Sequence, residues 1–111
     1  MTRDEINTYC AAQPGGKVSE PFGEGIAVWK VADKIFACLG KGVAGVTVKT
    51  KSVELAQMLI EAGVGRKAPY FHRSWLNLPN TADPDEIRHR IETSYQLIRA
   101  KLPKKTQATL D

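Results

Sequence analysis

Two runs of β-branched and aromatic residues, Ala27 to Val31 and Ile35 to Leu39, stand on either side of a short connection centred on Ala32-Asp33. Strands joined so tightly can pair only antiparallel, because a parallel return needs a crossover of a dozen or more residues. The stretch from Pro21 to Ala37 therefore reads as a β-hairpin with a lysine at each shoulder, Lys30 and Lys34. A third run, Val43 to Lys51, follows the Gly40-Lys41-Gly42 turn closely enough to extend the sheet antiparallel, and it adds Lys49 and Lys51. A hairpin edged with cations presents positive charge to a polyanion.

Helical periodicity flanks these strands. Thr2 followed by Glu5 matches a capping box, and Ile6, Tyr9 and Cys10 recur at helical spacing until Pro14-Gly15-Gly16 stops the pattern. Ser52 predicts the cap of a second helix with Leu55, Ala56, Leu59, Ile60 and Ala62 as its apolar stripe and Gly63 as its stop. Pro69 to His72 and Trp75 to Leu78 read as a second pair of short strands. Asp83, Pro84 and Glu86 supply a cap, a first-turn proline and a capping-box acid for a last helix, along which Ile87, Ile91, Ser94 and Tyr95, Ile98 and Leu102 repeat. The predicted order is α-β-β-β-α-β-β-α, an α+β fold with an antiparallel sheet, helices on one face and the other face open.

At 111 residues the chain has room for one core and not two, which sets a single domain over residues 1–105 and leaves 106–111 as a fraying tail. After Pro103 no apolar stripe continues, so Lys104 onward is expected to fray. A hydrophobic content of 42% with 25% charged residues excludes a disordered or fibrous chain. No apolar run approaches the roughly 18 residues of a membrane span, and Met-Thr-Arg-Asp-Glu lacks the apolar core of a secretory signal, so the expected location is the cytoplasm, with no membrane contact and a monomer favoured. Cys10 and Cys38, far apart and in no Cys-x-x-Cys pair, read as buried, inert thiols.

Together with Cys10 and Pro14-Gly15 before the hairpin, and Val46-Thr47-Val48-Lys49-Thr50, Trp75, Ser94-Tyr95 and Leu102 after it, the chain resembles the MmcQ/YjbR family of small bacterial proteins. That resemblance runs over almost the whole chain. It implies the double-wing fold, in which two strand pairs act as wings, and a role in DNA binding. Members of that family often carry a longer basic hairpin and a histidine just before the tryptophan, where this chain has a shorter turn and Ser74.

Alternation places Thr47, Lys49 and Lys51, with Trp75 and Asn77, on the open sheet face, opposite Val46, Val48, Leu76 and Leu78. Arg66-Lys67 and the Pro69-Tyr70-Phe71-His72-Arg73 segment make a second basic, aromatic stretch in which Tyr70 and Phe71 read as core residues. Positive side chains neutralise phosphates, and an exposed indole can stack on a base or pack along the sugar backbone. Gly40-Lys41-Gly42 and Gly23-Glu24-Gly25 lack the strand, loop and helix order of a phosphate-binding loop. Two cysteines and two histidines, His72 and His89, make a structural zinc site remote, and no metal or other cofactor is expected. Cys38, His72 and Asp33 can be written as a triad, but no spacing supports one, and the acids at Asp83, Asp85 and Glu86 are accounted for by a helix start.

The sequence therefore supports a non-enzymatic DNA-binding module. Lys30, Lys34, Lys49, Lys51, Arg66, Lys67 and Arg73 are its expected phosphate contacts and Trp75 its stacking or packing contact, with weak sequence selectivity because every helix stripe is needed by the sheet. The competing reading is a protein-interaction module that receives a partner on the open face or along an edge strand.

Overall fold

The computed structural model describes residues 1–41 and 44–110. Gly42, Val43 and Asp111 lie outside the described residues, and with them the expected start of the third strand, the end of the Gly40-Lys41-Gly42 turn and the last residue of the tail. Helix α1 spans Arg3–Ala11 and opens on the capping box, Thr2 and Glu5 each accepting the other's amide. Strands β1 (Lys17–Ser19), β2 (Ala27–Val31), β3 (Lys34–Leu39) and β4 (Val46–Lys49) follow, then α2 (Val53–Glu61), β5 (Arg66–Lys67), β6 (Trp75–Leu78), α3 (Pro84–Ala100) and α4 (Lys104–Ala108). Ser52 caps α2 by accepting the Leu55 amide, and Asp83 caps α3 by accepting that of Asp85. Glu86 does not return to the cap as a capping-box acid would. It pairs with Arg90, one turn further on.

The strands form one six-stranded sheet in the order β1-β2-β3-β4-β6-β5, with every neighbouring pair antiparallel. Hairpin β2–β3 turns on Ala32 and Asp33, whose φ angles of 47° and 67° give the doubly left-handed turn whose twist matches the flanking strands. Between the pairs Trp29↔Ala37 and Lys30↔Ile35 the register shifts, leaving Phe36 as an extra residue. A bulge of this kind turns two successive side chains to one face, so Phe36 and Ala37 are both buried in the core and strict alternation fails there.

One face of the sheet carries the core. Ala27, Trp29, Val31, Phe36, Ala37, Leu39, Val46, Val48, Leu76 and Leu78 join a single apolar cluster with Ile6 and Cys10 of α1, Leu59 of α2, and Ile87, Ile91 and Tyr95 of α3. The helices thus pack on this inner face, as the sequence predicts. Phe36 and Tyr95 meet edge to face at 5.4 Å. Gly45 lies so close to β6 that a Cβ there would sit 1.8 Å from the Leu78 carbonyl oxygen, so only glycine lets β4 begin in this place.

Three local expectations are corrected. Pro69 to His72 is not a strand: Pro69 has no N–H for a ladder, Tyr70 takes a φ of 70°, and the strand is the preceding Arg66–Lys67. Strand β1 was not anticipated, since Lys17-Val18-Ser19 is exposed throughout and has no buried face to impose alternation. The tail after Pro103 does not fray. It forms α4, held where Gln107 donates to the Leu102 carbonyl at 2.8 Å and Arg99 to the Gln107 carbonyl at 3.3 Å, and Leu110 packs onto the core.

Candidate nucleic-acid interface

Strand direction decides where the charges go. At one end of the sheet β2 turns into β3, β4 finishes, and β1 and β6 begin, so Lys17, Lys30, Lys34, Lys49, Lys51, Lys67 and Arg73 all gather there. Helix α3 runs back from the far end and delivers Lys101 close enough to influence Lys49, and α4 adds Lys104 and Lys105. Among the described residues Asp33 and Glu54 are the acids at this end. Asp4, Glu5, Glu20, Glu24, Glu61, Asp83, Asp85 and Glu86 lie towards the other, where Arg88 pairs with Asp85, Arg90 pairs with Glu86, and Arg3 reaches the carbonyls of Gly25, Leu39 and Gly40, while Glu92, further along α3, accepts from the Tyr9 hydroxyl. The chain is therefore electrically polar along its strands. Its basic end is roughly 24 Å wide, six strands at the usual spacing.

Within that end the cations differ in freedom. Lys34, Lys51, Lys67 and Arg73 are exposed, while Lys30 and Lys49 are half-buried. Lys17 stands directly opposite Lys30 across the β1–β2 pair, a like-charge arrangement that costs stability unless an anion sits between. Lys49 donates from Nζ to Ser74 Oγ at 3.0 Å, and burial, then the Lys101 ammonium, hold its pKa below the ordinary lysine value. Ser74 is itself buried, and its hydroxyl lies 2.9 Å from His72 Nδ1, the atom that also takes the Ser74 amide at 3.1 Å. This Lys49–Ser74–His72 chain ties β4 to the start of β6.

Arg66 does not belong to the basic end. Its guanidinium donates to Asn77 Oδ1 at 2.7 Å and to the Ala44 carbonyl at 3.1 Å, and Asn77 passes the chain on to Thr47 Oγ1 at 3.2 Å. Asn77 and Thr47 are 3% and 7% exposed, so the middle of the outer face is a closed polar row and not the solvent-facing surface expected there. Trp75 is half-buried against Phe71, ring centroids 4.9 Å apart, and backs the neighbouring segment instead of standing free.

Sequence reasoning missed Tyr70. It is 106% exposed, not in the core, and it sits third in a turn closed by the Phe71 amide on the Ala68 carbonyl. Its left-handed backbone costs about 1–2 kcal/mol for a residue other than glycine. Pro69, which favours the second position of such turns, is the signal that could have found it.

The same sequence matches the family model described as YjbR over residues 11–97. The chain belongs to the YjbR family. The fold of this YjbR protein is also that of Deinococcus radiodurans protein DR2400, whose crystal structure is described as a DUF419 domain: the TM-score is 0.84 at 18% identity, covering 98% of this chain and 87% of that one. No curated protein matches the sequence. The YjbR match spans both hairpins and most of α3, and so takes in Lys30, Lys34, Lys49, Lys51, Arg66, Lys67, Arg73 and Trp75. No helix among the described residues is long and apolar enough to cross a membrane.

Proposed function

We propose that this YjbR protein is a non-catalytic DNA-binding module that grips phosphates with the basic end of its sheet and reads sequence weakly. The observation that carries this reading is the segregation of charge along the strands, with cations from both hairpins, α3 and α4 collected at one end. Like charges held this close repel one another in the free protein, so a polyanion that neutralises them is the complementary partner. Lys34, Lys51, Lys67 and Arg73 supply direct phosphate contacts, Lys17 and Lys30 act as a pair, and Lys49 reinforces the field from beside Ser74. Arg66 serves as the clasp of the outer face and makes no contact.

The test is fluorescence anisotropy on a labelled duplex across a salt series. If roughly 4–6 phosphates are neutralised, log affinity falls against log salt with a slope of about −4 to −5. A Lys34→Glu, Lys51→Glu double variant flattens that slope by about 2 and weakens all sequences alike, whereas Arg66→Gln lowers stability and leaves the slope unchanged. Absence of binding to the duplex and to its separated strands at low salt, or an unaltered slope in the double variant, overturns the proposal in favour of a protein partner on the exposed edge strand β1.

A further inference from the structure

Between β5 and β6 the chain displays an aromatic ring that the fold does not use. The Phe71 amide donates to the Ala68 carbonyl at 3.4 Å, closing a β-turn with Pro69 second and Tyr70 third at a φ of 70°. A proline followed by a left-handed residue is the pattern that takes glycine or asparagine in the third place, because a larger side chain is strained there. Here tyrosine occupies that place with its side chain entirely in solvent. Strain held at an exposed aromatic is an observation from which function can be argued.

Next to Tyr70 in the chain, Phe71 packs on Trp75 with the rings tilted by 41°. They line a cleft of about 350 Å³ that Val53 and Ile60 of α2 wall, with Lys67 and Arg73 also on its lining. A recess with aromatic and aliphatic walls, to which Gln57 and His72 add polar groups and Lys67 and Arg73 add cations, complements a flat base that carries a phosphate on either side. A neutral apolar partner would leave those cations without a counter-charge.

We infer that Tyr70 and the Phe71–Trp75 cleft form a stacking site for an unpaired nucleobase, so that the protein prefers single-stranded or locally opened DNA to intact duplex. This rests on the nucleic-acid reading above and names the substrate class within it. In an intact duplex the base faces are already stacked, and Tyr70 gains nothing from them; an unstacked base offers a whole π face to the ring. Lys67 and Arg73 then meet the flanking phosphates, and the site tolerates any base.

The experiment uses the full-length protein with an oligodeoxynucleotide carrying 2-aminopurine, offered as a single strand and as its duplex at matched salt. The expected result is quenching of the 2-aminopurine in the single strand and tighter binding of that strand than of the duplex. Tyr70→Gly is expected to weaken single-strand binding about tenfold or more, with the salt slope and duplex binding unchanged. The same variant should melt at a higher temperature, because glycine relieves the turn, which excludes misfolding as the cause. Tyr70→Phe should bind as the wild type does. Equal binding of single strand and duplex, or single-strand binding by Tyr70→Gly equal to that of the wild type, overturns the stacking site. If Tyr70→Gly changes nothing while Lys34→Glu, Lys51→Glu weakens duplex binding, the phosphate-gripping reading stands and the stacking site falls. If the wild type binds neither form, both fall.

Discussion

The hydroxyl of Ser94 donates to the carbonyl of Phe36 across 2.7 Å, and it accepts the amide of Lys49 across 2.9 Å. Strands β3 and β4 pair at Ala37↔Val48 and Cys38↔Thr47, and next to these pairs the Phe36 bulge interrupts the register of β3. One side chain from α3 takes over as the bridge between the two strands and welds the helix to the sheet beside the basic end. Ser94→Ala removes the bridge without enlarging anything. It is expected to cost about 1–3 kcal/mol for each backbone group left without a partner, measured by urea denaturation, and to speed hydrogen exchange at the Lys49 amide.

Two isoleucines of α3 should separate cleanly. Ile91 is fully buried while Ile98 is half-buried at the edge of the same cluster. Ile91→Ala should lose about 2–5 kcal/mol and Ile98→Ala about 1–2 kcal/mol in the same titration. Equal losses would mean that the helix presents a different face to the sheet.

The C-terminal turn should be part of the stable unit. Leu110 packs so closely on Gly15 that a Cβ added there would lie 2.5 Å from its methyl carbon, with Val31 also near. Removing residues 106–111 is expected to lower the unfolding free energy by about 1–2 kcal/mol through loss of this contact and of the Gln107 hydrogen bonds. An unchanged denaturation midpoint would show that α4 is dispensable.

The β2–β3 turn is built from residues that tolerate its geometry poorly. Ala32 and Asp33 both hold positive φ, and the pair Asn-Gly suits such a turn better. Replacing Ala32-Asp33 with Asn-Gly should stabilise the protein by about 1 kcal/mol, read as a raised midpoint. Lys30 and Lys34 stay in place while Asp33, one of the two acids at the basic end, is lost, so DNA binding should be no weaker than that of the wild type.

Cys10 couples stability to alkaline pH. Burial pushes its pKa from 9.0 to about 12, so the folded protein keeps the proton that the unfolded chain releases. The resulting stability is fully present below pH 9 and is lost as pH rises from about 9 towards 12, at about 1.4 kcal/mol per pH unit. Cys10→Ala should be less stable at neutral pH and lose this part of the alkaline slope. Cys38 is also buried and its pKa raised by burial, with Arg3 pulling it the other way, so both thiols should react slowly with a thiol reagent until the protein unfolds.

Caps, periodicity and short turns were legible in the chain because each depends on neighbours a few residues away. Thr2 with Glu5, Ser52, Asp83 with Pro84, the Ala32-Asp33 turn and the Ile87-to-Tyr95 stripe fall where local chemistry puts them. Strand β1 was not legible, since three exposed residues leave no pattern. Nor was the Phe36 bulge, since the extra residue is defined only against a partner strand. Tertiary structure alone separated Arg66, spent on Asn77 and the Ala44 carbonyl, from the cations that stay at the basic end. It also carried Lys101 to Lys49 and left Tyr70 in solvent. The physical reason is common to all three: hydrogen-bond partners, electrostatic neighbours and burial are set by strand order and helix direction, which bring together residues that no spacing along the chain connects.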